Sequence, residues 1–183
     1  IRILNKHIQK VDAYRQSTEI YAAIEANDVS KVKALIENGL DVNAKNQYTI
    51  GGALAGVTPL LYASRLGQAA IIQLLLDAGA NPRIVDWTMK STVLHKSGYT
   101  GQPQNIQMLV DAGAELDAQG PYNGYTALHD AIWHGHLETA KALIEAGAAP
   151  DLKGLDGLTP LDLAKKNGYE EIVKMMEQVL NNE

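Results

Sequence analysis

The chain has 183 residues and no cysteine, and its 16 Lys and Arg against 21 Asp and Glu leave a net charge of −5. Disulfides, cysteine-held zinc and thiol catalysis are excluded, and a mildly acidic balance with scattered basic residues is a poor electrostatic footprint for nucleic acid. No apolar run approaches the roughly 20 residues of a membrane-spanning helix.

Residues 1–17 come first. Ile1, Leu4, Ile8, Val11 and Tyr14, with Ile3, fall at helical spacing, and Lys6, Gln9, Lys10 and Asp12 lie between them. The pattern predicts an amphipathic helix. It reads as a cap over the apolar edge of the adjoining chain, or as a docking helix for a partner or membrane surface. The first residue is Ile1 and not Met, which leaves open a removed leader or a trimmed start.

From Thr18 onward the chain repeats. Thr18, Thr58, Thr92, Thr126 and Thr159 are spaced by 40, 34, 34 and 33 residues, and Gly39, Gly79, Gly113 and Gly147 each stand 21 residues after the first four of them. A constant offset inside a variable period means one fixed unit whose length changes are confined to the connection after it. Each unit reads as helix, tight turn, helix, loop. The threonines suit the first helix's N-cap, and Pro59 and Pro160 suit its first turn. Small residues follow at Ala23, Ala63, Ser97, Ala131 and Ala164, where elements must approach closely. Asn27, Gly67, Gly101, Gly135 and Gly168 suit a left-handed inter-helix turn.

The second helices carry apolar columns, Val32, Ile72, Ile106, Ala140, Val173 and Leu35, Leu75, Leu109, Leu143, Met176. Lys33, Gln73, Gln107, Lys141 and Lys174 form a wet stripe beside them, and the glycines at 39, 79, 113 and 147 end these helices. In the third unit, Gly98 within Val93–Tyr99 is expected to shorten or loosen the first helix, while Pro103 falls harmlessly in the first turn of the second. In the last unit Glu177 replaces the Ile36, Leu76, Val110, Ile144 column and Leu180 replaces the closing glycine. That is the expected signature of a terminal cap, with residues 181–183 as a frayed tail. The longest connection, Gly39 to Thr58, carries an excess centred on residues 46–56, and long loops are usually functional or disordered.

The repeats resemble the ankyrin repeat. Thr58-Pro59-Leu60 and Thr159-Pro160-Leu161 are similar to the family's opening signature, Thr126-Ala127-Leu128-His129 carries its histidine form, and Thr92-Val93-Leu94-His95 is a looser copy. Ala78-Gly79-Ala80, Ala112-Gly113-Ala114 and Ala146-Gly147-Ala148 match its Gly-Ala turn. The resemblance implies an all-α solenoid with protruding loops, over repeats at about 18–57, 58–91, 92–125, 126–158 and 159–183. The segments 124–136 and 157–168 look most similar to bacterial members, which leaves cytoplasm and periplasm both open.

In the family, loop tips and first helices form one concave surface. Carried over, Trp87, Met89, Tyr99, Tyr122, Asn123, Tyr125, Trp133 and His134 line it, with Arg65 and Lys166 toward its ends and Tyr48, Thr49 and Ile50 as a further contact in the long loop. Tyr and Trp at such places suit interface anchors; the competing reading is that the rings brace neighbouring loops, and for Tyr125 and Trp133 the two stand level. His129, Asp130, His134 and His136 cluster within eight residues, but His95 and His129 occupy the signature position, where the imidazole bonds the motif threonine and loop backbone. No metal site is expected. No phosphate loop, no paired acid and base and no nucleophile set is present, so no cofactor and no catalysis are expected. The carboxylates Glu37, Asp77, Asp111 and Glu145 read as a solvated face. The expected function is to hold another protein, as a monomer. The alternative is a small-molecule or metal groove around Trp133, His134 and Tyr99.

Overall fold

The computed structural model describes residues 18–47 and 54–182. The expected helix over 1–17 and the loop residues Tyr48, Thr49 and Ile50 lie outside them. Among the described residues there are helices and no strand. Helix α1 covers residues 18–25. After it come α2 (Val29–Glu37), α3 (Pro59–Leu66), α4 (Ala69–Asp77), α5 (Val93–Thr100), a 3-10 turn (Pro103–Asn105), α6 (Ile106–Asp111), α7 (Ala127–Trp133), α8 (Leu137–Glu145), α9 (Pro160–Asn167) and α10 (Glu170–Asn181).

Four of the repeated threonines cap their helices. Thr58, Thr92, Thr126 and Thr159 accept the N–H of the residue three on, and in the last three repeats that residue (His95, His129 or Asp162) returns a hydrogen bond to the threonine N–H. Reciprocal bonds of this kind satisfy two otherwise unpaired donors. Thr18 differs, because residue 18 is already helical. The inter-helix turn is left-handed throughout: Asn27 has φ 52° and Gly67, Gly101, Gly135 and Gly168 have φ 73–74°, where a side chain beyond Asn is disfavoured.

First helices α3, α5, α7 and α9 contact one another in sequence, and the second helices stack behind them. Leu35, Leu75, Leu109, Leu143 and Met176 are buried in that second layer, and the small residues Ala63, Ser97, Ala131 and Ala164 are fully buried in the first. The core is therefore a continuous stripe shared between neighbours.

Three expectations change. α5 is not shortened by Gly98: it has eight residues, as α3 and α9 do. A Cβ on Gly98 would stand 2.4 Å from the Ala127 carbonyl oxygen, so the glycine is what lets α5 meet α7. The irregularity falls instead in the second helix of that repeat, which opens as a 3-10 turn at Pro103 and leaves α6 six residues. Asn181 is helical rather than frayed, and Glu177 pairs with Lys165 at 2.9 Å.

The connections are stapled fingers. The N–H of Asn46, Asp86, Gly120 and Gly154 donates to the carbonyl of Val57, Ser91, Tyr125 and Leu158, each the residue before a capping threonine. Each donor stands seven residues after its closing glycine at 39, 79, 113 or 147. Donor and acceptor are eleven positions apart in the first finger, against five, five and four in the others. All length variation between repeats thus lies inside this neck.

A side chain from the first helix of the same repeat holds three of the necks. His95 Nε2 lies 2.9 Å from the Tyr125 carbonyl and His129 Nε2 lies 3.2 Å from that of Leu158. A carbonyl only accepts, so Nε2 carries the proton and Nδ1 is left to accept from the threonine. In the first repeat the Tyr21 hydroxyl does the same work, donating to the Val57 carbonyl at 2.6 Å.

Candidate functional site

The first helices present two rows to the side of the fingers. Four residues after the capping threonine stand Tyr62, Lys96, Asp130 and Leu163, and seven after it stand Arg65, Tyr99, Trp133 and Lys166. Residues three apart share a helix face, so Lys96 lies with Tyr99 on α5 and Asp130 with Trp133 on α7. Between these rows and fingers two and three runs a groove of about 670 Å³. Arg65 stands at one end. Met89 and Ser91 contribute from finger two, Tyr122, Asn123 and Tyr125 from finger three, and His134 from the end of α7.

The groove gathers most of the residues singled out by sequence. Met89 is 55 % exposed, Tyr99 57 %, Tyr122 63 % and Trp133 55 %, large apolar surfaces around one depression. His134 lies edge-on to Tyr99, with centroids 4.3 Å apart. Burial, and then the neighbouring His136, lower its pKa. Trp87 and Lys166 are not part of the lining. The Trp87 ring lies over Gly56 so closely that a Cβ there would stand 2.1 Å from its Cγ, which makes it a contact between fingers one and two. Lys166 is exposed farther along, on α9.

Tyr125 braces the fold. It is 9 % exposed, and its ring is stacked on His129 at 4.6 Å. A Cβ on Gly154 would meet the ring at 2.7 Å, and the hydroxyl donates to Asp156 Oδ2 at 2.7 Å. Burial, and then that carboxylate, push the phenol up to about 12. Trp133, 6.2 Å away, stays exposed.

Sequence reasoning missed the polar floor. Asp86 is fully buried at the base of finger two and pairs with Lys96 Nζ at 2.6 Å. Its Oδ1 accepts from the Met89 N–H at 2.8 Å and the Thr88 hydroxyl at 3.2 Å. Burial works to raise the Asp86 carboxyl, but Lys96 and these donors prevail and hold it below the ordinary carboxylate range. Asp130 has no such help. No hydrogen bond or ion pair reaches its carboxyl among the described residues, and burial, only partly offset by the charge of Lys96, pushes it up to about 7. The missed signal was the four-residue offset from each threonine, which aligns Lys96 with Asp130 as the seven-residue offset aligns Tyr99 with Trp133.

The histidines among the described residues are engaged elsewhere. His95 and His129 are committed to their caps and necks, and burial lowers the pKa of both. His136 Nε2 lies 3.1 Å from the Tyr99 carbonyl. Among the described residues no group of three or more His, Asp or Glu is placed to hold a metal ion, and no helix is long and apolar enough to cross a membrane.

Comparison with known proteins bears on the same stretch. The family model described as ankyrin repeats (3 copies) matches residues 2–86 and 85–154. Among curated proteins, the mouse protein "Ankyrin repeat, SAM and basic leucine zipper domain-containing protein 1" is 37 % identical over 59 residues, and its human counterpart 39 % over 59. Each match covers 32 % of this chain and 11 % of the relative, so the shared segment spans about a tenth of those proteins. They are mammalian, and the likeness to bacterial members rests on the sequence alone.

Proposed function

The chain belongs to the ankyrin-repeat family, whose repeats are in general non-enzymatic protein–protein interaction modules, and from that premise we propose that it holds a segment of another protein in the groove between fingers two and three and helices α3, α5 and α7. One observation carries this reading. Met89, Tyr99, Tyr122 and Trp133 are large, apolar and more than half exposed, and all border one groove. Aromatic and Met side chains are enriched at interfaces, where they bury much area, and aromatics lose little rotamer freedom on doing so. The floor beneath them is fixed by the Lys96–Asp86 pair and the walls by stapled necks, so little ordering remains to be done on binding. The action is capture and presentation, with no bond made or broken.

The test is affinity capture with the intact chain beside a Tyr99→Ala, Trp133→Ala double variant whose helicity is confirmed by circular dichroism. A protein retained by the first and lost by the second supports the groove. Equal retention by both moves the interface elsewhere on the chain and ends this reading.

The groove volume also lies within the range of small-molecule pockets, ~300–1,000 Å³, which favours a second reading as a ligand groove around Trp133, His134 and Tyr99. A thermal-shift screen against metabolites separates the two, since a ligand raises the melting temperature by mass action.

A further inference from the structure

The groove's fixed charges are not equally engaged. Its two cations have partners: Lys96 is held by Asp86 at 2.6 Å, and the Arg65 guanidinium lies over the Tyr62 ring, 4.9 Å from its centroid. Its carboxylate, Asp130, has none among the described residues. Asp130 is part-buried, and Trp133 and His134 share its helix face. Tyr99 lies across on α5, edge-on to His134. An acceptor with both oxygens unoccupied, bordered by exposed aromatic surface, is complementary to a flat cation on an apolar stem.

Resting on the reading that this groove holds a protein segment, we infer that the segment presents a basic side chain, arginine in preference to lysine, whose cation meets the Asp130 carboxylate while its stem lies against Tyr99 and Trp133. Arginine suits the site better because its planar fork matches a carboxylate at two points and stacks on rings. An acidic side chain fits badly at this point, since it adds a second carboxylate beside Asp130 and Lys96 is already neutralised by Asp86. The protonation of Asp130 agrees: burial holds its carboxyl near 7 in the free chain, and a bound cation favours the ionised form.

The probe is a random-peptide display library selected on the intact chain and counter-selected on the Tyr99→Ala, Trp133→Ala variant, which isolates groove-dependent peptides. The expected result is that these share an arginine or lysine at one position. The best of them loses roughly tenfold to a hundredfold in affinity for Asp130→Asn, the scale of one charged hydrogen bond. Replacing its basic residue by glutamine costs far less on Asp130→Asn than on the unaltered chain, a coupling that a general loosening of the groove does not produce. Groove-dependent peptides with no common base, or with the same affinity for Asp130→Asn, overturn this inference and leave the proposed function standing. No groove-dependent peptide at all removes the proposed function, and this inference with it.

Discussion

Lys96 Nζ stands 2.6 Å from Asp86 Oδ2, and this pair ties the first helix of the third repeat to the base of the second finger. The Asp86 side chain is fully buried and that of Lys96 only 19 % exposed, so the charge has no water to fall back on. Lys96→Met is expected to destabilise the chain by about 3 kcal/mol, the scale for a buried charge deprived of its partner. Asp86→Asn combined with Lys96→Met should recover most of that loss. Urea denaturation of the unaltered chain and these two variants measures it. Because Asp86 titrates below its ordinary value in the fold, its contribution is present above about pH 4 and fades as acid protonates it.

Asp130 behaves in the opposite sense. Its folded pKa of about 7 lies above the unfolded value of 3.8, so the folded chain holds the proton more tightly and stability falls as pH rises from about 4 to 7. Asp130→Asn is therefore expected to stabilise the free chain by on the order of 2 kcal/mol above pH 7 and by progressively less toward pH 4. Melting temperatures across that range test the sign. The titratable groups that share the groove with Asp130 are Lys96, His95 and Tyr99 from α5, Tyr125 from finger three, whose phenol the Asp130 charge helps to raise, and His134 at the end of α7. Of these, Lys96 opposes the shift. A flat profile, or destabilisation by Asn, means that Asp130 is already satisfied.

Tyr125→Ala is expected to cost about 3 kcal/mol, as loss of a packed aromatic does, because the ring fills the space between His129 and Gly154. Tyr125→Phe keeps the stack and loses only the bond to Asp156, so its cost is smaller. Circular dichroism with denaturant midpoints distinguishes the two.

Tyr99→Ala and Trp133→Ala should each leave stability within about 1 kcal/mol of the unaltered chain, since exposed side chains outside the core rarely contribute more. If either unfolds the chain, that ring is a brace rather than an anchor.

Gly98→Ala reverses the usual rule. Helix propensity alone favours alanine by about 1 kcal/mol, yet the new methyl would press on the Ala127 backbone at 2.4 Å. A net loss of about 2 kcal/mol is expected from overpacking, readable as a lower denaturant midpoint.

These cases show which parts of the chain can be read from sequence. The capping threonines, left-handed turns and buried columns were legible because backbone geometry alone restricts which residues fit there. Gly98 was misread because propensity sees its own helix and not α7 across from it. Trp87 reads from sequence as a loop-tip anchor and Tyr125 as anchor or brace alike, because the neighbouring fingers that lie against them, Gly56 for one and Gly154 for the other, are far off in the chain. Asp130 and Lys96 share no residue type, so no motif joins them. Only stacking the repeats puts an unengaged carboxylate beside an engaged ammonium.

The closed neck of the first finger has a consequence for how this chain can vary. Asn46 N–H reaches the Val57 carbonyl at 2.9 Å, and Gly56 N–H returns to the Asn46 carbonyl at 2.9 Å. The base of this finger is therefore closed by backbone bonds whatever the length of the connection between them, and Leu54 beside it packs against the core. This is where a repeat takes up extra length without renegotiating the stack, since donor and acceptor stand eleven positions apart here against five, five and four in the other fingers. It is also where an engineer would splice in a reporter or a second recognition loop, leaving the groove between the second and third fingers undisturbed.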